Sequence, residues 1–368
     1  MSEIGRTPPA INVPNYPNSN REAPEQKDRT PSNGSLSVPD SLVSTPAVAY
    51  AAGGPLPEVR SGCVIGLDAG GTKVNAAVAD LDGNVQGGGT AGPCNIAAMS
   101  AEDAFKNARA ACLAALVSAG KLPEDVAAVC AGVAGVSFID RRNEFAAMMQ
   151  ELFPNARVVV EADYAIAFTG ATGGAPGIVI IAGTGSVAYG ENARGRGIKT
   201  GGYGYLIDDF GSGHGVGREG IAAVLRAADN TGPPTTLTRR VLAALDLTDI
   251  AGLVPGVYGG SIGRARIASL ATVIADAADS DSDEIAVDIL GRAGSSLAAL
   301  VTSITTDLFA GATDPFPVAM VGSLWKAGNA ITVPFVRAIR AAAPTAVLAP
   351  PKEGPLQGAL RRAHALAG

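Results

Sequence analysis

The chain has 368 residues, of which 47% are hydrophobic and 17% charged, and its formal net charge is −6 at pH 7. This length and apolar content allow a large buried core and one to three domains. The acidic balance argues against a protein that binds nucleic acid through basic patches, and a total of two histidines excludes a histidine-rich metal site. No uninterrupted apolar run reaches the roughly 18 residues typical of a membrane span, so we expect a soluble cytoplasmic enzyme with no membrane partner.

The four cysteines are widely spaced and form no CxxC motif. They are Cys63, Cys94, Cys112 and Cys130. This spacing predicts buried thiols in a reducing compartment rather than a disulfide framework or a metal site.

Residues 1–60 differ in composition from the rest of the chain. They hold ten prolines and many Ser, Asn, Thr and charged residues. Such a segment cannot bury enough apolar surface to offset its ordering entropy, so we predict a disordered tail. The mildly apolar stretch 42–52 is not expected to be a secretory signal, because it lies far from the N-terminus and has no basic region before it.

Regular elements begin at Gly62. Apolar runs at 63–67, 74–79 and about 85–89, joined by tight turns, predict an antiparallel meander. The pattern that follows predicts alternating helices and parallel strands. These are a helix over 101–119, a strand over 126–133, a helix over about 141–152 and a strand over 158–160.

Near Gly177 the pattern starts again. A strand over 178–181, a glycine-rich turn and a strand over 187–189 precede a long helical region over about 213–310. A strand over 318–321, a helix from about 325 to 342 and a terminal helix over 354–366 complete the chain. The repeated opening, a strand followed by a glycine turn and a second strand, predicts two related halves.

The two glycine turns, 68–72 and 182–186, carry the first chemical signal. Glycines let backbone N–H groups approach phosphate oxygens, and Thr and Ser hydroxyls add donors. A carboxylate such as Asp68 can hold Mg²⁺ beside those phosphates. Either turn alone could also be an ordinary hairpin, and neither a Walker A loop nor a GxGxxG fingerprint is present.

Three motifs in this order resemble those of a known superfamily. They are LDAGGTK (67–73), IAGTGSV (181–187) and MVGSLWK (320–326). Together they resemble the phosphate 1, phosphate 2 and adenosine motifs of the sugar kinase, Hsp70 and actin superfamily. More narrowly, they resemble the N-acetylglucosamine kinase branch within the BadF/BadG/BcrA/BcrD ATPase group.

The resemblance implies an α/β fold of two actin-like (RNase H-like) domains, with an interdomain active-site cleft, preceded by the disordered tail 1–60. It places an N-terminal domain at 61–175, rejoined by the terminal helix 354–367, and a C-terminal domain at 176–353. It implies ATP and Mg²⁺ as cofactors, with Asp68 near the metal. The implied nucleotide-binding residues are Gly70, Gly71, Thr72, Lys73, Thr184, Gly185, Ser186, Gly322 and Ser323.

Asp163 is the candidate catalytic residue. It follows the apolar run 157–160, and ligands of open α/β sheets bind at the carboxyl ends of strands. From the residues alone, Asp163 could equally cap the following helix. The resemblance implies that its carboxylate takes a proton from the sugar hydroxyl.

The resemblance also implies a set of sugar-binding residues beside Asp163, namely Asn95, Gly132, Gly135, Gly201, Gly202 and Asp209. Turn formation and close strand–helix packing are alternative explanations for the asparagine and the glycines. Around Asp209 the chain departs from the family pattern, because Tyr203 replaces Trp, Asp208 replaces Gly and Phe210 replaces Glu. The role of the family's glutamate is therefore unfilled.

The function expected from this pattern is ATP-dependent phosphorylation of an amino sugar, with N-acetylglucosamine at its 6-hydroxyl first. Glucosamine and N-acetylmuramate are alternative acceptors. From other classes, an iron–sulfur ATPase activator of a radical dehydratase or reductase and a non-enzymatic actin-like or Hsp70-like switch remain alternatives. The cysteine-rich zinc loop of the ROK kinases is missing, and the sequence leaves homodimerisation open.

Overall fold

The computed structural model of the protein describes residues 48–50 and 62–368. Most of the predicted disordered tail lies outside these residues. Val48–Tyr50 instead form a short strand, β1, which pairs antiparallel with β6 (Arg157–Ala162) at the edge of a sheet.

The first sheet has six strands in the order β1-β6-β5-β2-β3-β4. The predicted meander is confirmed, since β2–β3 and β3–β4 pair antiparallel, whereas β5 pairs parallel with both β2 and β6. The strands of this sheet named here for the first time are β2 Cys63–Ala69, β3 Val74–Asp80, β4 Val85–Ala91 and β5 Val126–Val133.

The second sheet has five strands in the order β11-β10-β7-β8-β9. Here too the first three strands form an antiparallel meander, and β10 pairs parallel with β7 and β11. The bounds are β7 Gly177–Ala182, β8 Ser186–Glu191, β9 Gly197–Gly201, β10 Phe316–Val321 and β11 Ala346–Ala349. Both sheets therefore place their strands in the same relative order, apart from β1, as two related halves require. Strands β9 and β11 are not anticipated by the sequence.

Ten α-helices cover the sheets in the described part of the chain. They are α1 Ala101–Ala119, α2 Ile139–Leu152, α3 Asp163–Thr172, α4 Gly213–Ala228, α5 Leu237–Ala244, α6 Leu253–Tyr258, α7 Arg264–Ser280, α8 Glu284–Leu308, α9 Asn329–Ala342 and α10 Pro355–Ala367. Local sequence sets their ends. For example, the Ser100 hydroxyl accepts the Asp103 N–H at 3.1 Å at the start of α1, and Gly120 with φ 63° ends that helix. The helix predicted from residue 325 begins at Asn329, after a 3₁₀ turn over Ser323–Ala327.

Two lobes result, each with its own apolar core. The N-terminal lobe comprises β1–β6, α1–α3 and α10; the C-terminal lobe comprises β7–β11 and α4–α9. Helix α10 packs on β2, β5 and α3, and α3 also contacts β7 and β8 of the other lobe. Helix α3 therefore packs between the two lobes.

Among the described residues, α8 is the one helix long and apolar enough to cross a membrane by length and composition. It lies in the core of the C-terminal lobe, where Ile289, Leu297 and Ile304 are buried, and packs against α9 and α7.

Candidate functional site

The first turn connects β2 to β3 and is closed by a hydrogen bond from the Gly70 N–H to the Lys73 carbonyl at 3.0 Å. Neither Gly70 nor Gly71 has a positive φ, and a Cβ on either would meet nothing closer than 3.6 Å. The protein itself therefore does not require glycine at these two positions. The surface they leave free is the kind that a phosphate group can approach. Thr72 and Lys73 are exposed on the same turn.

The second turn connects β7 to β8, and its Gly183 also has open space where a Cβ would lie. Helix α4 begins beside this turn. The N–H groups of Gly213 and His214, in the first turn of α4, donate to the carbonyls of Gly183 at 2.7 Å and Thr184 at 3.2 Å. The partial positive charge of the helix N-terminus thus lies next to the turn, where it favours an anion. The Thr184 side chain is exposed.

The adenosine-motif residues lie beside the second turn, because β10 pairs parallel with β7 and Val321 is in register with Ile181. Gly322 has φ 113°, and a Cβ there would lie 2.1 Å from the Ala182 carbonyl oxygen. Only glycine fits at this position. Ser323 follows and is exposed, so the two strand ends place Thr184, Gly185 and Ser323 at one edge of the sheet.

Asp163 is the first residue of α3, immediately after β6. Its carboxylate is half-buried and accepts the Tyr164 N–H at 2.8 Å. Burial raises the pKa of Asp163 to about 6. The Tyr164 N–H lowers this pKa, the Asp68 carboxylate raises it further, and the Lys199 ammonium lowers it. Asp68 belongs to β2 of the N-terminal lobe and Lys199 to β9 of the C-terminal lobe, so charged groups of both lobes act on the pKa of Asp163.

Asp68 lies two residues before Gly70, at the end of β2. Burial raises its pKa, whereas Lys73 and a hydrogen bond from the Asn75 side chain lower it. A single carboxylate beside an open glycine turn fits Mg²⁺, which is usually held by one or two carboxylates together with water and substrate phosphates. Among the described residues, no group of three or more His, Cys, Asp and Glu side chains could hold a metal ion by itself.

Lys199 is a residue of this site that sequence reasoning missed. Its Nζ donates to the Gly202 carbonyl at 3.3 Å and lies 4.5 Å from the centre of the Tyr203 ring. Burial lowers the pKa of Lys199, and the carboxylates of Asp208, Asp163 and Asp209 oppose that shift. The only signal in the sequence is one lysine within the short segment 197–201, which was not predicted as a strand.

Asp209 lies at the second turn rather than in the open part of the following loop. It is buried, adopts φ 59°, and accepts the Ser186 N–H through Oδ1 at 3.2 Å. Its Oδ2 lies 3.6 Å from Nη2 of Arg264, a second residue that sequence reasoning missed. Ser186 is itself buried and its N–H is the donor to Asp209. Contact between Ser186 and a nucleotide stays a prediction. Contact between Asp209 and a sugar stays a prediction.

Two further predicted sugar-binding residues, Asn95 and Gly135, make contacts within the protein itself. The Asn95 Oδ1 accepts the Ala97 N–H at 2.9 Å, and a Cβ on Gly71 would lie 3.7 Å from its Nδ2. Asn95 therefore lies beside the first turn. Gly135 has φ 85° and a Cβ there would lie 2.6 Å from Asn95 Oδ1, so this glycine makes room for the asparagine.

Three further glycines are explained by packing. A Cβ on Gly132 would lie 2.2 Å from Ile166 of α3. Gly201 and Gly202 have φ of 73° and 70°, and their Cβ atoms would collide with Leu300 and Val187. For Gly132 the strand–helix alternative accounts for the residue without a ligand, and a sugar contact stays a prediction.

All four cysteines of the chain are fully buried and none is in a disulfide. Burial raises the pKa of Cys94 to about 12 and raises that of the other three thiols as well. The predicted buried thiols are confirmed. Such side chains cannot reach a cluster shared with a second subunit, which weighs against the iron–sulfur activator alternative.

Among known proteins, the chain is similar to kinases of amino sugars. The chain is 32% identical over 211 residues to the N-acetylmuramic acid/N-acetylglucosamine kinase of Clostridium acetobutylicum, covering 57% of this chain and 69% of that protein. It is 29% identical over 272 residues to the N-acetyl-D-glucosamine kinase of Dictyostelium discoideum, covering 70% of this chain and 84% of that one. The structure of a candidate N-acetylglucosamine kinase from Chromobacterium violaceum, 25% identical, matches with a TM-score of 0.67 over 82% of this chain and 98% of that one.

Fold, turns and relatives define the class as an ATP-dependent sugar kinase built from two actin-like lobes, and the predicted fold class is confirmed. Residues 65–353, which are most of the chain, match the BadF/BadG/BcrA/BcrD ATPase family. The protein belongs to the BadF/BadG/BcrA/BcrD ATPase family.

Proposed function

We propose that this protein transfers the γ-phosphoryl group of ATP to the 6-hydroxyl of an amino sugar, with N-acetylglucosamine as the first candidate. The observation that carries the proposal is the position of Asp163. A half-buried carboxylate with a pKa of about 6 lies near Asp68, beside the open turn of one lobe, and near Lys199 of the other lobe. Phosphoryl transfer needs such an oriented acceptor group next to a phosphate-binding surface.

In the proposed reaction the Asp163 carboxylate accepts the proton of the sugar hydroxyl as its oxygen attacks phosphorus. A general base works best when its pKa lies near the working pH, and burial moves Asp163 in that direction. The Tyr164 N–H fixes the carboxylate at the start of α3, and the Lys199 ammonium favours its ionised form. Asp163 can therefore be both a base and largely ionised at neutral pH.

The nucleotide is proposed to lie along the C-terminal lobe, with its phosphates over the two open turns. Thr184, Gly185, Gly322 and Ser323 would line the nucleotide side, and Gly70, Gly71, Thr72 and Lys73 would approach the γ-phosphate from the other lobe. Asp68 is the residue that would hold Mg²⁺, and the ion would supply positive charge to offset that of the phosphates. Because the reaction consumes ATP, we place it in the cytoplasm.

The identity of the sugar is the finer part of the proposal. Asn95 and Asp209 are its proposed polar partners, and Phe210, which is half exposed, stands where the family pattern has a glutamate. The relatives at comparable identity include a kinase named for both N-acetylmuramic acid and N-acetylglucosamine and a glucosamine kinase from Vibrio cholerae. N-acetylglucosamine, N-acetylmuramate and glucosamine are accordingly the acceptors to compare.

ADP release measured with each of these three sugars and with glucose tests the proposal. We expect N-acetylglucosamine to raise the rate of ADP release at least tenfold over the sugar-free rate. Without the sugar, no sugar hydroxyl is present to accept the γ-phosphoryl group. If no sugar raises the rate, the protein is not a sugar kinase. A brown, oxygen-sensitive preparation would instead support the iron–sulfur activator alternative.

A further inference from the structure

Arg264 is the first residue of α7, and its guanidinium lies against the second turn. A Cβ placed on Gly185 would be 3.2 Å from Arg264 Nη2. The guanidinium carbon also lies 5.0 Å from the centre of the Tyr205 ring. Because the ring supports one side of the group and Asp209 lies 3.6 Å from Nη2, the orientation of Arg264 is set by the protein.

The donors of this guanidinium are largely unused. Arg264 donates no hydrogen bond to any acceptor among residues 48–50 and 62–368, and its one ion pair, to Asp209, is longer than a hydrogen bond. Its side chain is 42% exposed. A guanidinium has five N–H groups arranged to match the oxygens of a carboxylate or a phosphate. A fixed guanidinium with free donors beside an open glycine turn points to an anionic ligand.

The charge balance at the turn supports the same conclusion. Asp209 is a buried carboxylate that holds the Ser186 N–H, and its pKa is raised by burial and lowered by that N–H and by Arg264. A carboxylate at this position would repel a nucleotide polyphosphate. Arg264 offsets this repulsion from the same edge of the turn, and Lys199 also lies near Asp209.

We infer that Arg264 is a phosphate-binding residue of the nucleotide site, which donates hydrogen bonds to the β- or γ-phosphate oxygens of ATP lying over the turn 183–186. The inference rests on the proposed kinase function and deepens it. One carboxylate oxygen of Asp209 accepts the Ser186 N–H of the turn, and the other lies beside Arg264 and orients it.

Nucleotide affinity of the full chain, measured by calorimetry without sugar, tests the inference. The loss of a charge-assisted contact to phosphate in Arg264→Met is expected to weaken ATP binding about ten- to hundredfold. The affinity for AMP, which lacks the β- and γ-phosphates, should change less than twofold. Arg264→Lys should recover part of the loss, since it keeps the charge but not the planar fork.

Arg266 provides a matched control on the same helix. Its side chain is also 42% exposed and pairs with Asp246 at 2.8 Å, away from the turn. Arg266→Met should keep both affinities. Equal losses for ATP and AMP in Arg264→Met, or an equal loss of ATP affinity in Arg266→Met, would overturn the inference in favour of a structural role.

The two proposals can fail separately. Normal sugar-dependent turnover together with unchanged ATP affinity in Arg264→Met would contradict the role of Arg264 alone. A wild-type protein that binds ATP through Arg264 but phosphorylates no sugar would contradict the proposed function alone.

Discussion

At the residue scale, the environment of Asp163 determines both the pKa of its carboxyl group and the effect of that group on the stability of the fold. The carboxylate is half-buried and its pKa is about 6, raised first by burial and further by Asp68. Lys199 works in the opposite direction. Each of these contributions can be measured separately.

The first prediction concerns pH. Since a base must be deprotonated to accept a proton, kcat/KM for N-acetylglucosamine should fall as pH drops through about 6, the pKa of Asp163. Lys199→Met removes the cation that favours the ionised form and should move this midpoint to higher pH. Lys106→Met, on the exposed face of α1, should leave the midpoint in place. A midpoint that does not move in Lys199→Met would show that Lys199 does not act on the base.

The second prediction is that the base destabilises the fold. The pKa of Asp163 is raised from 3.8 to about 6 in the folded state, so the ionised carboxylate destabilises the protein above pH 6, and this cost disappears as pH falls below about 4. Asp163→Asn should therefore raise the free energy of unfolding at pH 8 by about 1–2 kcal/mol, after about 0.5 kcal/mol is lost at the α3 N-terminus. The gain should shrink at pH 5.

Thermal unfolding of the two proteins at both pH values checks this. A variant that is less stable than the wild type at pH 8 would mean that the carboxylate stabilises α3 more than burial penalises it.

At the element scale, two neighbouring glycines are explained in different ways. One is required by the backbone conformation, and the other leaves open space that a ligand can occupy. Gly322 has φ 113° and no room for a Cβ, whereas Gly183 has an ordinary φ and open space around it. Both lie at strand ends on the same edge of the second sheet.

The third prediction follows from this pair. Gly322→Ala should lower the free energy of unfolding by about 2 kcal/mol or more, since the backbone is strained and the methyl group collides with the Ala182 carbonyl. Gly183→Ala should change stability by less than about 0.5 kcal/mol but weaken ATP binding, because its methyl group would occupy the surface offered to phosphate. Urea unfolding and ATP calorimetry on both variants check it, and unimpaired ATP binding in Gly183→Ala would contradict the placement of phosphate.

The sequence predicts most of the regular elements, and it misses two short edge strands of the second sheet. Strands β2, β5 and β7 are runs of Val, Ile and Ala bounded by turn residues, so their periodicity is readable. Strands β9 and β11 are short edge strands that pair on one side only, and β9 contains glycine at both ends. Their strand character comes from the neighbouring strand rather than from their own residues.

The site residues also differ in whether the sequence predicts them. Asp163 and the glycine turns occupy strand ends, where the chain order of the motifs gives their positions. Lys199 and Arg264 acquire their roles from partners far away in the sequence, Asp163 and Asp209, and no local pattern marks them. Tertiary placement alone reveals these two cations.

At the scale of the whole molecule, a partly buried charge network joins the lobes. Arg362 of α10 pairs with Glu161 of β6, donates to Thr169 of α3 at 2.6 Å, and pairs at 3.0 Å with Glu191 of β8 in the other lobe. Glu191 also accepts the Tyr189 hydroxyl at 2.8 Å. One side chain therefore links both sheets and the helices between them.

The fourth prediction is that this link carries much of the stability of the lobe arrangement. Arg362→Met should lower the free energy of unfolding by about 3 kcal/mol, because it leaves Glu161 and Glu191 without their cation. Arg361→Met is the matched control, since its pair with Glu353 is solvent-exposed and should contribute less than about 1 kcal/mol. Chemical denaturation of both variants measures the difference, and equal losses would show that the Arg362 network adds nothing beyond a surface pair.

Sugar phosphorylation by Asp163 can be followed by ³¹P NMR of ATP with N-acetylglucosamine at pH 8, using the wild type and Asp163→Asn. The account predicts a sugar 6-phosphate signal with the wild type and a rate about 10²- to 10⁴-fold lower with Asp163→Asn, at unchanged ATP affinity. A wild-type protein that forms no sugar phosphate with any of the three amino sugars, or an Asp163→Asn variant that forms it at nearly the wild-type rate, would contradict the account.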